Sequence, residues 1–467
     1  MAKLLPIPLA TSSNIGRNKK NSQELLVNMM AVTHVGQPKN NFTLQSTVGF
    51  IEAHAFIGEN ILGIHTVKEI VYIVTSGGFY KADSLSNIVR IGNVAFEAGT
   101  QVVSIEDNGF DVVIVGGNGY YYNIDSNTLN DYDSDPAYYT SDTVAFMDGY
   151  FIFNRRDTFQ FFISDLYSTN LTASNFASKE ANPDNLMGVV VSNRSLWLIG
   201  RRSTEIWSNI GAKNFPFLRV SGAVHEIGTS NAKTISKIWD SVFFLGSDGA
   251  VYQTSGYRFS RVSTQAIEFY LRKQAINTAE AFTYSEEGHA FYCLTINNIY
   301  TFVYDVKNQL WHNRSSFRVS RWRLKEIIQY SVTNQNLGID YSNGKLYQVS
   351  LKYPTEAGEI ITREMYSSPI HNGVNLATMS EYQIDMVTGG LEEPTTDGLI
   401  KLQFSDDGGS TWSNIKEAKT GKLADFNKRV AFRRLGRFRQ RTMKIIYQEP
   451  TQLQVLGTYA RIVDVER

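Results

Sequence analysis

The chain has 467 residues, 42% of them hydrophobic and 12% aromatic, with 45 Lys plus Arg set against 45 Asp plus Glu and a single cysteine. Zero formal charge excludes a global attraction to nucleic acid or to an anionic membrane, so such a role needs a local patch. One cysteine, Cys293, excludes an internal disulfide framework and fits a reducing compartment, and no run approaches the ~20 apolar residues of a membrane helix.

The opening MAKLLPIPLA is too short and too Pro-broken an apolar stretch for a secretory signal. The polar stretch Thr11–Asn21 reads as a flexible arm, followed by an ordered apolar run, Leu25–Val32, and residues 1–57 form an N-terminal arm and lead-in segment. Residues 58–353 then repeat one unit. Val71–Val74 turns at Ser76–Gly78 and resumes as Phe79-Tyr80, and Val112–Val115 turns at Gly116–Gly119 and resumes as Tyr120–Tyr122. Tyr150–Phe153, Leu196–Ile199, Val242–Leu245, Phe291–Ile296 and Leu337–Tyr341 each begin a further hairpin of the same kind. The spacing is close to the ~40–50 residues of known propeller repeats. Asp248-Gly249, Asn297-Asn298 and Asn343-Gly344 supply the positive φ that tight hairpin turns require. A lone hairpin cannot bury both its faces, and stacking round a closed ring solves that problem, although an open β-solenoid would show similar spacing. The expectation is an all-β protein with an about seven-bladed β-propeller. After Tyr353, short strand-like runs (Tyr382–Val387, Leu399–Phe404, Val430–Phe432, Met443–Tyr447, Leu453–Leu456) predict a β-sandwich over 354–467.

Ser405-Asp406-Asp407-Gly408-Gly409-Ser410-Thr411-Trp412 carries the Asp-box pattern found in sialidases. Physically it is a hairpin turn in which Asp caps local amides, and it occurs once, outside the propeller. Asp131–Asp135 resembles the start of a calcium loop, but Pro136 stands where Gly is needed and Asp142 where a bidentate Glu is needed. Gly116–Gly119 precedes a strand, Tyr120–Tyr122, and so is a turn, not a phosphate cradle at a helix start. None of the seven histidines pairs with another at metal-ligand spacing, and no Gly-x-Ser-x-Gly elbow is present. No cofactor, metal or enzymatic activity is expected. The strongest charge feature is Lys428, Arg429, Arg433, Arg434, Arg437, Arg439 and Arg441. In one extended strand Arg437, Arg439 and Arg441 would share a face. That face would either be solvated or contact DNA phosphates or an acidic neighbouring subunit.

Several segments, in order, resemble the tail-hub, or packaged-DNA stabilisation, proteins of short-tailed bacteriophages. They are Leu26-Val27-Asn28-Met29 with Gly49-Phe50, Ser203–Trp207 with Gly211 and Phe215-Pro216-Phe217, and Phe243–Gly246 with Asp248-Gly249 and Val251-Tyr252. Tyr304-Asp305 with Leu310-Trp311, the turn at 405–412, and Arg433–Arg437 complete the series, while Val48-Gly49 departs from the Pro-Gly of the family. The resemblance implies a non-enzymatic ring component, a homo-hexamer below the portal and its adaptor ring, in a virion tail assembled in the bacterial cytoplasm. It implies a subunit that continues the DNA channel, retains packaged genome and docks a tail needle, spikes or fibres. The alternative is a carbohydrate-binding or glycan-cleaving propeller tail protein, which would need an arginine cluster with a Tyr–Glu pair at the propeller centre.

Overall fold

The computed structural model describes residues 4–16, 20, 22–34, 36, 39–330, 334–373, 375–388, 398–422 and 425–464. Nearly all regular structure is β; among the described residues the one α-helix is Gln265–Leu271. Six four-stranded antiparallel blades each come from one run of chain: 61–93, 104–131, 144–178, 186–225, 236–261 and 280–314. Their innermost strands follow one another around the ring. The second strand of each blade is covered on both sides by neighbouring sheets, so it reads as an unbroken apolar run. Ser195–Gly200 (SLWLIG) and His289–Ile296 (HAFYCLTI) are buried throughout, whereas the outermost strand Asn87–Asn93 is largely exposed.

The ring closes through a composite sheet. Leu324–Tyr330, Gln335–Asp340 and Lys345–Ser350 pair in sequence, and the fourth strand is Gly49–Ala55, antiparallel to Lys345–Ser350 with Phe50 opposite Val349. Tyr330, Leu337, Ile339 and Leu346 of this sheet share one apolar cluster with Ile61, Ile64, Val71 and Ile73 of the first blade, so the ring is closed, not an open solenoid. The expectation of about seven blades cut from 58–353 is therefore corrected: six are contiguous, and the closing sheet borrows a strand from the segment set apart as an arm. The hairpins read from the sequence all form. Gly49 has a packing reason: a Cβ there would lie 2.3 Å from the Tyr353 carbonyl oxygen and 2.4 Å from that of Thr355.

The other strands described within residues 1–57 are built in as well. Leu5–Ile7 pairs with Gln454–Asp464, and Met29–Thr33 pairs with Phe42–Ser46, which itself joins Gln454–Asp464. Leu26–Val27 bridges the outer strand of the 280–314 blade to Arg363–Tyr366. Between these pieces Asn28 turns the chain with φ 56°, and its buried amide donates to the carbonyls of Ser315 and Thr362 and accepts from Ser315 N–H. The expected arm over Thr11–Asn21 is a short hairpin where it is described, with Asn14–Ile15 paired to Gln23–Glu24; residues 17–19 and 21 lie outside the described residues. The two sandwich sheets enclose one core, in which Ile7, Leu26, Met29 and Leu44 pack with Met379, Tyr382, Leu402, Phe432 and Ile445.

Candidate nucleic-acid interface

One sandwich sheet orders Val430–Arg433, Ala377–Met386, Gln454–Asp464, Phe42–Ser46 and Met29–Thr33. Val430, Phe432, Met379, Tyr382 and Ile384 point into the core, which sends the alternate residues outward. Glu381 stands opposite Arg433 on one side and Arg461 on the other. Arg429 Nη2 donates to Glu381 Oε1 at 3.2 Å, while Arg433 and Arg461 approach the same carboxylate at 3.6 Å each. Arg437 follows on the short strand Arg437–Phe438, opposite Thr378.

The seven cations read from the sequence do not form one face. Arg429, Arg433 and Arg437 lie exposed on this sheet, Lys428 sits 3.7 Å from Asp425, Arg434 occupies a turn with φ 59°, and Arg439 is exposed at a bend. Arg441 is fully buried, which corrects the expectation that it projects beside Arg437 and Arg439. The reason is topological. Arg437–Phe438 belongs to the first sheet, but Gln440–Tyr447 pairs with Gly398–Ser405 of the second, so the chain crosses the sandwich at residue 439. Arg441 then lies inside, where it grips Asp406 through two hydrogen bonds of 2.7 and 2.8 Å. It also donates to the carbonyls of Leu435 and Arg437, and its guanidinium lies 4.0 Å from the Phe404 ring centroid. Sequence spacing missed Glu381 and Arg461 because only strand pairing brings them to the arginines.

The Asp-box at 405–412 is a turn fastened by its own carboxylate. Asp407 Oδ1 accepts from Ser405 Oγ and from the N–H groups of Ser410 and Thr411, and Oδ2 accepts from Thr411 Oγ1. These bonds, led by the one from the Thr411 hydroxyl, hold its carboxyl well below the usual carboxylate range. Trp412 packs edge-on against Tyr366. The acidic loop is likewise a turn, with Asp133 accepting from Gly119 N–H and Asp135 from Ala137 N–H.

The propeller centre is a cavity of about 630 Å³ lined by the innermost strands. Burial pushes Glu106 and Glu326 up to about 7 and Lys325 down to about 8. Burial opposes the charge on His65, but Asp107 at 2.7 Å and the nearby carboxylates raise its pKa. The lining holds one arginine, Arg156, already bound by Asp142 and Glu97, and no tyrosine among the described residues. The set a glycan-cleaving centre would need does not converge there. Nor do three or more His, Cys, Asp or Glu gather to hold a metal ion among the described residues, and no helix is long and apolar enough to cross a membrane.

Residues 5–352 match a family model described as "Bacteriophage P22 Gp10, beta-propeller", and residues 362–463 match one described as "Bacteriophage P22 Gp10, beta-sandwich". No curated protein matches. Among solved structures, a chain of the mitotic checkpoint complex is 9% identical with a TM-score of 0.43, over 68% of this chain and 95% of that one. The extracellular domain of the hybrid two-component system BT4673 from B. thetaiotaomicron is 9% identical with a TM-score of 0.44, over 71% of this chain and 45% of that one.

Proposed function

The chain belongs to the bacteriophage P22 Gp10 family of phage tail structural proteins, and from that premise we propose that it is a tail hub that completes the head by extending the portal–adaptor channel. In this reading it is a homo-hexameric ring subunit, assembled in the host cytoplasm, that retains packaged DNA and docks a needle, spike or fibre below. The observation that carries the reading is the match of propeller and sandwich, in order, across almost the whole chain.

Two physical features support it. The inner strands of the propeller enclose a cavity of only about 630 Å³, which supports placing the DNA channel between subunits. A closed ring of subunits needs head-to-tail contacts between unlike patches, and a body with propeller and sandwich at different places offers unlike patches. The test is to add purified protein to DNA-filled portal–adaptor particles that lack it. The reading expects the protein to seat as a ring and to stop DNA leakage. A monomer that ignores the particles and cleaves a glycan would overturn it.

A further inference from the structure

Strand pairing assembles a cationic face that the linear sequence conceals. We propose that the outer face of the strands Val430–Arg433, Ala377–Met386 and Gln454–Asp464 binds the phosphate backbone of duplex DNA through Arg429, Arg433, Arg437 and Arg461. The inference rests on the reading that the chain surrounds packaged DNA, and it replaces the linear cluster with a different set: Lys428, Arg434, Arg439 and Arg441 leave and Arg461 enters.

Three guanidiniums, those of Arg429, Arg433 and Arg461, surround one carboxylate, Glu381, and Arg437 follows opposite Thr378; these four arginines and one acid carry three net positive charges (4 − 1) in a chain whose formal charge is zero. The arginines are more open to solvent than the acid: side-chain exposure is 58% for Arg429, 72% for Arg433 and 29% for Arg461, against 9% for Glu381. Arg433 and Arg461 stand 3.6 Å from Glu381, beyond hydrogen-bonding distance, so that carboxylate orients their forks without consuming the donors. Planar guanidinium forks match phosphate oxygens two at a time. Nucleic-acid interfaces are strongly positive, and here Arg429, Arg433 and Arg437 line the edge of the sheet with Arg461 two strands in. Glu381 limits the repulsion among the arginines in the free protein and weakens their hold on a polyanion.

The test measures binding of the full chain to a short random-sequence DNA duplex across a series of salt concentrations, with thermal unfolding as a check on the fold. Replacing Arg433→Gln and Arg461→Gln together is expected to weaken binding on all sequences alike and to flatten the plot of log affinity against log salt by about 2. Glu381→Gln is expected to tighten binding and steepen the plot. Unchanged affinity and slope in the double variant would overturn the proposal. So would a double variant that binds DNA normally but no longer assembles, because the face would then be a subunit contact. A wild-type chain that never forms rings but whose DNA binding follows these arginines would sink the hub reading and leave this one standing.

Discussion

Arg441 shows how one side chain can tie distant parts of the sandwich together. It joins the 405–412 turn through Asp406 to the crossing at 435–437 through two carbonyl oxygens. Asp406 is 41% exposed and can be rehydrated, but Arg441, at 1%, cannot. Asp406→Ala should therefore cost about 3 kcal/mol or more, because it leaves a buried guanidinium without its carboxylate. Adding Arg441→Met to that variant removes the stranded charge and should recover part of the loss, and denaturant unfolding of the single and double variants reads the difference. A second prediction concerns the propeller cavity. Glu326 has its folded pKa raised to about 7 by burial, above an unfolded value of about 4.3. The folded state thus holds the proton more tightly, and the stability tied to it is present in acid and is lost as pH rises through about 7. Glu326→Gln should match wild type in melting temperature near pH 4 and exceed it at pH 8. Equal melting temperatures at both pH values would remove the buried-acid account.

The element that decides the fold is the strand Gly49–Ala55, which closes the ring from the far end of the chain. Phe50 is fully buried against Tyr347, with ring centroids 4.4 Å apart. Phe50→Ala should cost about 3–5 kcal/mol. Hydrogen exchange should show the loss concentrated in 324–350, where the strand pairs, and not spread evenly over the blades. The hairpins were legible in the sequence because their second strands are apolar on both faces and their turns carry Asn and Gly; Asn297 and Asn298 both adopt positive φ. The N-terminal strands were not legible. They are two to seven residues long, and several pair with strands hundreds of residues away, as Leu5 opposite Ala460 shows. Nothing local records such a pairing. The arginine cluster misled for a related reason. A period of two holds within one strand, and the chain changes sheets between Phe438 and Gln440.

At the scale of the whole molecule, blades and sandwich are not beads on a string. Leu310–Arg314 of the last contiguous blade continues through Leu26–Val27 into a sandwich sheet, and buried Arg314 reaches Val48 and Glu356 beside Trp322. A continuous sheet and a buried ion pair at the junction suit a part that transmits load without bending in the proposed hub. The propeller's central cavity is only about 630 Å³, so its role in the proposed hub is that of a rigid wall segment, with the lumen formed by the assembly. Averaged electron-microscopy images of tails containing this protein test that claim most directly, by its copy number and position. The account predicts six copies in a closed ring directly below the adaptor, with the lumen between subunits and the face around Glu381 turned toward it. Isolated copies on the tail periphery, each propeller standing free of the DNA axis, would contradict it.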